Sequence, residues 1–130
     1  MKKAILAVLA VFIAWSAMDF VIHVLILGST YASIPQLWRP QDEMKLGIMY
    51  LTILISAIAF VVIYARFIDD KSVRNALSYG LWFGLAWGVS MGYGTYSVQP
   101  IPYSMALTWF LGTLVETAIA GLIVGSIVRD

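Results

Sequence analysis

The amino-acid sequence predicts an all-α integral membrane protein, a bundle of four transmembrane helices with both termini in the cytoplasm. Its 130 residues are 62% hydrophobic and only 12% charged, and the mean hydropathy is +0.90. A soluble domain is about 45–50% apolar and ~25% charged, so this composition is typical of a membrane protein. Four apolar runs each have the length of about 20 residues that a helix needs to cross the hydrocarbon core.

The apolar runs are expected to be helices because backbone groups in lipid must be hydrogen-bonded within their own segment. Hydrophobicity continues past Ser16 to Leu27, so we expect the first run to be kept as a helix rather than removed as a signal peptide. The second helix is expected to begin at Pro40, since proline suits a first helical position. Within a single domain spanning 1–130, the expected helices cover about 4–27, 44–64, 76–96 and 103–128.

Basic residues orient the expected bundle. Cytoplasmic loops carry an excess of Lys and Arg. Two basic residues, Arg39 and Lys45, fall on one side of the membrane, and the other six fall on the opposite side. This asymmetry places both termini inside the cell, and we expect a cell membrane, the bacterial inner membrane, as the location. The six inner basic residues are Lys2, Lys3, Arg66, Lys71, Arg74 and Arg129.

A row of glycines at four-residue spacing on the third helix predicts close packing against another helix. We favour packing within one subunit, with a contact between subunits as the alternative; close approach of a ligand has no support in the sequence. The fourth helix carries a smaller row. The two rows are Gly80, Gly84, Gly88 and Gly92, and Gly121 and Gly125.

Three ionisable side chains within the apolar runs are the best indication of function: Asp19, His23 and Glu116. Placing a charge at the bilayer centre costs at least ~2.5–3.5 kcal/mol of free energy, so each group is expected to have a hydrogen-bonding partner, contact with water or a functional role. Asp19 and His23 share one face of the first helix. Small and hydroxylated neighbours place Glu116 at a contact between helices. Three hydroxyl groups complete the set of candidates for binding or proton exchange: Ser16, Thr113 and Thr117.

Each ionisable group also has a purely structural interpretation. Asp19 and His23 can be a mutually satisfied pair near the outer interface, and Glu116 can be a neutral acid that hydrogen-bonds between helices. At 1.5 Å per residue, Asp19 lies about 12 Å and Glu116 about 20 Å below the outer ends of their helices. Helix tilt or a water molecule would have to bridge that difference in depth.

The composition argues against several functions. A net charge of +1 without a basic patch argues against nucleic acid as a partner. The chain has no cysteine, which excludes thiolate metal sites and disulfides. A metal site needs three or four clustered ligands, so the single histidine, His23, predicts neither a metal nor a cofactor. A metal or haem that His23 binds together with a second copy or a partner subunit is the alternative left open.

Three classes of function remain. We favour a component that acts without catalysis, as a homo-oligomer or an accessory subunit of a larger complex, with the lipid bilayer and other membrane subunits as partners. The alternative is a small proton- or ion-coupled transporter that uses Glu116 and Asp19 as exchanging carboxylates. An enzyme is not expected and no catalytic residue is assigned, because no nucleophile–base pair is present.

Overall fold

The computed structural model describes residues 1–129, which are mostly helical and contain no strand. Two π-helical segments, Val21–Ile26 and Ser90–Gly94, continue the first and fourth helices without a break in helical backbone angles. Short 3-10 turns cover Pro35–Leu37 and Gln41–Glu43. The helices are α1 (Lys2–Phe20), α2 (Gly28–Ser33), α3 (Leu46–Phe67), α4 (Val73–Val89), α5 (Thr95–Val98) and α6 (Tyr103–Ile127).

Three of the helical segments are long and apolar enough to cross a membrane: Lys2–Ile26, Leu46–Phe67 and Tyr103–Ile127. The expected third span is also helical, but α4 has 17 residues and carries glycine, serine, tyrosine and tryptophan among its apolar residues. These residues make it less apolar than the other three. Length and composition therefore support three candidate spans within residues 1–129 and do not by themselves establish a fourth.

The segment between the first two spans differs from its expected form. Gly28–Ser33 forms the short helix α2, between the first two expected helices, where no helix was expected. The expectation that the second span begins at Pro40 is wrong. The 3-10 turn Gln41–Glu43 follows Pro40, and an extended backbone at Met44 (ψ 134°) then interrupts the helical path. The helix α3 begins only at Leu46.

The helices α4 and α6 form the most extensive contact in the fold, and α1 packs against both α3 and α6. Aromatic side chains join α3 to α4: the Phe60 and Tyr79 rings lie 4.6 Å apart, and the Tyr79 hydroxyl donates to the Phe60 carbonyl oxygen at 2.8 Å. The fully buried side chains of Val11, Val61 and Val124 complete this core. Four long helices thus surround one apolar interior.

The glycine row of α4 lies against α6. A Cβ atom built on Gly88 would lie 3.0 Å from the Phe110 carbonyl oxygen, and one on Gly92 would lie 2.6 Å from the Ala106 carbonyl oxygen. Both distances are shorter than carbon and oxygen atoms in contact allow. The two backbones can approach this closely only because these positions lack a side chain.

The bundle has two distinguishable ends. The end that holds α2 and the turn before α6 is called the α2 end below. The opposite end, called the terminal end, brings both ends of the described chain together, because the Lys3 ammonium donates to the Arg129 carbonyl oxygen at 2.9 Å. The loop between α3 and α4 lies at the same end, since a Cβ on Gly125 would meet Val73 Cα at 3.0 Å.

Candidate functional site

The contact between α1 and α6 surrounds Glu116, which is only 6% exposed. Trp15 on α1 donates its indole N–H to the Glu116 backbone oxygen at 2.9 Å, which holds the two helices together at this level. Asp19 follows Trp15 by one helical turn, and its carboxyl lies close enough to the Glu116 carboxyl to act on it. The two acids on the first and last candidate spans therefore lie on facing sides of this contact.

A glycine explains how the two helices come so close beside the acids. Gly112 lies one turn before Glu116, and a Cβ atom there would sit 2.8 Å from Ile22 Cδ1. This contact places Ile22 level with Gly112. Asp19 lies three residues from Ile22 and Glu116 lies four residues from Gly112, so the two acids are at nearly the same depth.

His23 extends the pair of acids towards the α2 end. Its Nε2 atom lies 3.7 Å from Asp19 Oδ1, and the two side chains are 40% and 33% exposed, respectively. The arrangement is linear, His23 to Asp19 to Glu116, rather than a cluster around a common point. Accordingly, within residues 1–129 no three acidic or histidine side chains are placed to hold a metal ion.

Two further side chains continue this line beyond His23. The Tyr31 hydroxyl lies 2.7 Å from His23 Nδ1, and the Trp109 indole N–H donates to the same hydroxyl oxygen at 2.7 Å. Burial raises the pKa of Tyr31 to about 12, so its hydroxyl stays protonated near neutral pH. A continuous row of polar groups therefore runs from the α2 end of the molecule to Glu116.

Two buried polar atoms at this contact lack a hydrogen-bond partner among residues 1–129, Glu116 Oε1 and Ser16 Oγ. Ser16 lies three residues before Asp19, on the same face of α1. Native proteins rarely leave such atoms unpaired, and each unpaired one costs about 1–3 kcal/mol. The site therefore has unused hydrogen-bonding capacity where the two acids meet.

The remaining candidates from the sequence lie at the contact with α4. The Thr117 hydroxyl donates to the Thr113 and Leu114 carbonyl oxygens of its own helix at 3.0 and 3.1 Å, and Thr117 packs against Gly84. Thr113 is 8% exposed and packs against Gly88. Both threonines serve the α4–α6 contact, and neither touches Asp19 or His23 through a hydrogen bond within the described residues.

Sequence reasoning found the three ionisable groups but missed the roles of Tyr31 and Trp109. A signal for Trp109 was available, because it precedes Glu116 by two helical turns and therefore shares its face of α6. No comparable signal exists for Tyr31, whose position depends on the fold of the segment after the first span. The chain matches no protein-family model, no curated protein and no solved structure.

Proposed function

We propose that the chain is a small integral membrane protein that crosses the bilayer four times and takes up and releases a proton at Asp19 and Glu116, as a small proton- or ion-coupled transporter requires. The observation that carries this proposal is the meeting of the two acids at the contact between α1 and α6. A contact between two uncharged apolar helices would have sufficed for packing alone. Two acids in apolar surroundings are a costly alternative, and intramembrane acids commonly mark ion and proton pathways.

The state of the pair follows from elementary electrostatics. Two carboxylates side by side repel each other, the more so when one of them is buried as Glu116 is, so one proton shared between them lowers the energy of the pair. No Lys or Arg within residues 1–129 forms an ion pair with either acid that would neutralise the pair instead. We therefore expect Asp19 and Glu116 to bind one proton between them. Release of this proton to one side of the membrane is the step that a proton-coupled transporter requires.

The fourth crossing is supported by continuity and by charge. The backbone stays helical from α4 through the π-helical segment Ser90–Gly94 and on through α5. The helix α4 also packs along α6, a candidate span, over most of its length. With four crossings, the six basic residues identified above share the terminal end, which the excess of positive charge places in the cytoplasm. The α2 end then faces outward.

The test of this proposal compares Glu116→Gln and Asp19→Asn with Glu43→Gln, an exposed acid outside the candidate spans. The purified proteins are reconstituted into lipid vesicles, and infrared difference spectra follow the carbonyl band of protonated carboxyl groups as pH is varied. We expect the wild type and Glu43→Gln to show a titrating buried acid. Glu116→Gln should lose that band, and Asp19→Asn should shift the pH at which it appears.

Transport is tested with the same four proteins. A pH gradient is imposed across the vesicles, and its collapse is followed with an enclosed dye as Na⁺, K⁺ and a set of organic cations are added. The proposal expects collapse with at least one cation in the wild type and in Glu43→Gln only. Absence of a titrating acid in correctly assembled wild-type protein would overturn the proposal.

A second candidate function is a non-catalytic component, as a homo-oligomer or an accessory subunit, and the exposed surface of α3 favours it. Only 17% of the apolar window of α3 is buried within the chain. Its exposed side chains include Leu51, Ile55 and Ile58. If Leu51→Ala with Ile55→Ala dissociates a larger complex from native membranes while the acids still titrate, α3 is an assembly surface. If the protein is extracted from native membranes as a monomer without any partner, this candidate is rejected.

A further inference from the structure

We propose that protons reach the Asp19–Glu116 pair from the α2 end through Tyr31 and His23, with Trp109 as the positioning residue that orients them. This proposal rests on the proposed function and adds to it the side and the route of proton access. It is carried by three measured contacts that form one line: Trp109 to Tyr31 at 2.7 Å, Tyr31 to His23 at 2.7 Å and His23 to Asp19 at 3.7 Å.

The donors in this line have a defined direction. An indole N–H can only donate, so the Trp109 bond occupies a lone pair of the Tyr31 oxygen and leaves the Tyr31 proton free. In the proposed route this proton is donated to His23 Nδ1, 2.7 Å away, which then acts as the acceptor. A neutral imidazole with an acceptor at Nδ1 carries its proton on Nε2, the atom that faces the Asp19 carboxyl. Trp109 thereby selects the tautomer that can deliver a proton to Asp19.

The transfer balances without any other reactant. A hydronium ion at the α2 end gives a proton to the Tyr31 oxygen while the original Tyr31 proton moves to His23 Nδ1, which produces water and an imidazolium. The imidazolium then releases its Nε2 proton to the Asp19 carboxylate, and Asp19 shares it with Glu116. The neutral ring is left with its proton on Nδ1. Exchange with water at this partly exposed ring, which gives one proton to Nε2 and takes one from Nδ1, restores the starting tautomer without a net change in protons.

One step in the line requires movement. The 3.7 Å between His23 and Asp19 exceeds a hydrogen bond, so transfer needs rotation of the Asp19 side chain or a bridging water. Both side chains are partly exposed, which leaves room for either. The titratable groups around His23 are Asp19 on its own helix, Tyr31 on α2 and, through Asp19, Glu116 on α6. Proton transfer from His23 to Asp19 is therefore the step that we expect to limit the rate of proton entry.

The experiment measures how fast Glu116 responds to a pH step on one side only. Protein of uniform orientation in sealed vesicles receives a rapid pH change at the α2 end, and the carbonyl band of the acid pair is followed with time. The variants are His23→Gln, Tyr31→Phe and Trp109→Phe. The matched control is Trp38→Phe, because Trp38 packs against Tyr31 and Trp109 but its indole N–H has no partner among residues 1–129.

We expect His23→Gln and Tyr31→Phe to slow the response by at least about a hundredfold, the lower end of the usual contribution of a positioned proton donor. Trp109→Phe should slow it less, and Trp38→Phe should leave it unchanged. The final band intensity should match the wild type, which shows that the variants fold. Wild-type rates in both His23→Gln and Tyr31→Phe would overturn the route alone, whereas a wild-type acid pair that never titrates would overturn the proposed function as well.

Discussion

At the scale of single residues, Trp15 connects more of the molecule than any acid does. Its ring is 2% exposed and makes edge contacts with Phe60 and Trp87, each with ring centres 5.6 Å apart. Its indole N–H reaches the backbone of Glu116 on α6. One side chain of α1 thus touches three other helices, which explains why the acid on α6 is held at a fixed position relative to Asp19.

The Trp15→Phe substitution removes the indole N–H and leaves a smaller ring in the same buried place. We expect it to lower the free energy of unfolding by about 2 kcal/mol, because one buried hydrogen bond is lost and a small cavity is left. The measurement is denaturant unfolding in detergent, followed by circular dichroism. Trp82→Phe is the matched control, since Trp82 is 69% exposed. Equal effects of the two substitutions would contradict a specific role for the Trp15 bond.

The candidate site was predictable only where chemistry alone identifies a residue. Asp19, His23 and Glu116 stand out because ionisable groups are rare and costly inside apolar runs. The bond between Tyr31 and Trp109 joins residues 78 positions apart. Tyr31 reaches it only because the segment after the first span forms α2 and turns back over the bundle. The types of these side chains do not indicate that the chain turns back and brings Tyr31 to Trp109.

At the scale of helices, the contact between α4 and α6 depends on missing side chains. A Cβ at position 80 would meet the backbone carbonyl of Thr117, an atom that cannot move aside. We expect Gly80→Ala to lower the free energy of unfolding by about 1–3 kcal/mol, because the helices must separate or strain. Unfolding in detergent measures the change.

The control for this prediction is Gly47→Ala on α3, where no atom lies within 4 Å of the added Cβ. Alanine is the better helix former by about 1 kcal/mol, so this substitution should be neutral or stabilising. If Gly80→Ala proves as harmless as Gly47→Ala, close contact between α4 and α6 is not what the glycine row provides.

Helices were predictable from length and hydropathy, but their ends were not. The long apolar runs all became helices because lipid-length apolar segments have no other way to satisfy their backbone groups. The start of α3 shows the limit of this reasoning. Pro40 suits a first helical position, yet the chain there forms a 3-10 turn and an extended residue before α3 begins at Leu46. The preference of proline for the first position of a helix therefore did not determine where α3 begins.

At the scale of the whole molecule, the number of crossings is directly measurable. The chain has no cysteine, so single cysteines introduced at exposed positions can be labelled without background. The proposed four crossings, with the terminal end in the cytoplasm, would place Ser33 and Gln99 on the outside and Asp69 on the cytoplasmic side. We expect Ser33→Cys and Gln99→Cys, but not Asp69→Cys, to react with a membrane-impermeant maleimide in intact cells. All three should react after the membrane is opened.

A molecule in which α4 fails to cross gives a different pattern. Position 99 would then share the side of position 69, and the two cysteines would label together. Ser33→Cys is the internal reference for the outer surface in either case. Labelling of position 99 with position 69, and not with position 33, would reject the fourth crossing.

The two π-helical segments both lie towards the α2 end, and the first has a consequence for the length of the chain. The Leu27 N–H bonds to the Ile22 carbonyl five residues back, at 2.9 Å, so this turn holds one residue more than an α-helical turn does. Loss of one residue between 24 and 26 would turn this segment into a regular α-helix, and the segments on either side would keep their alignment. The same loss between Trp15 and Asp19, where the helix is regular, would rotate these two residues apart by about 100°. A chain one residue shorter in the π-helical turn should therefore keep both the bundle and the line from His23 to Tyr31, whereas one shortened between Trp15 and Asp19 should not keep the line to Glu116.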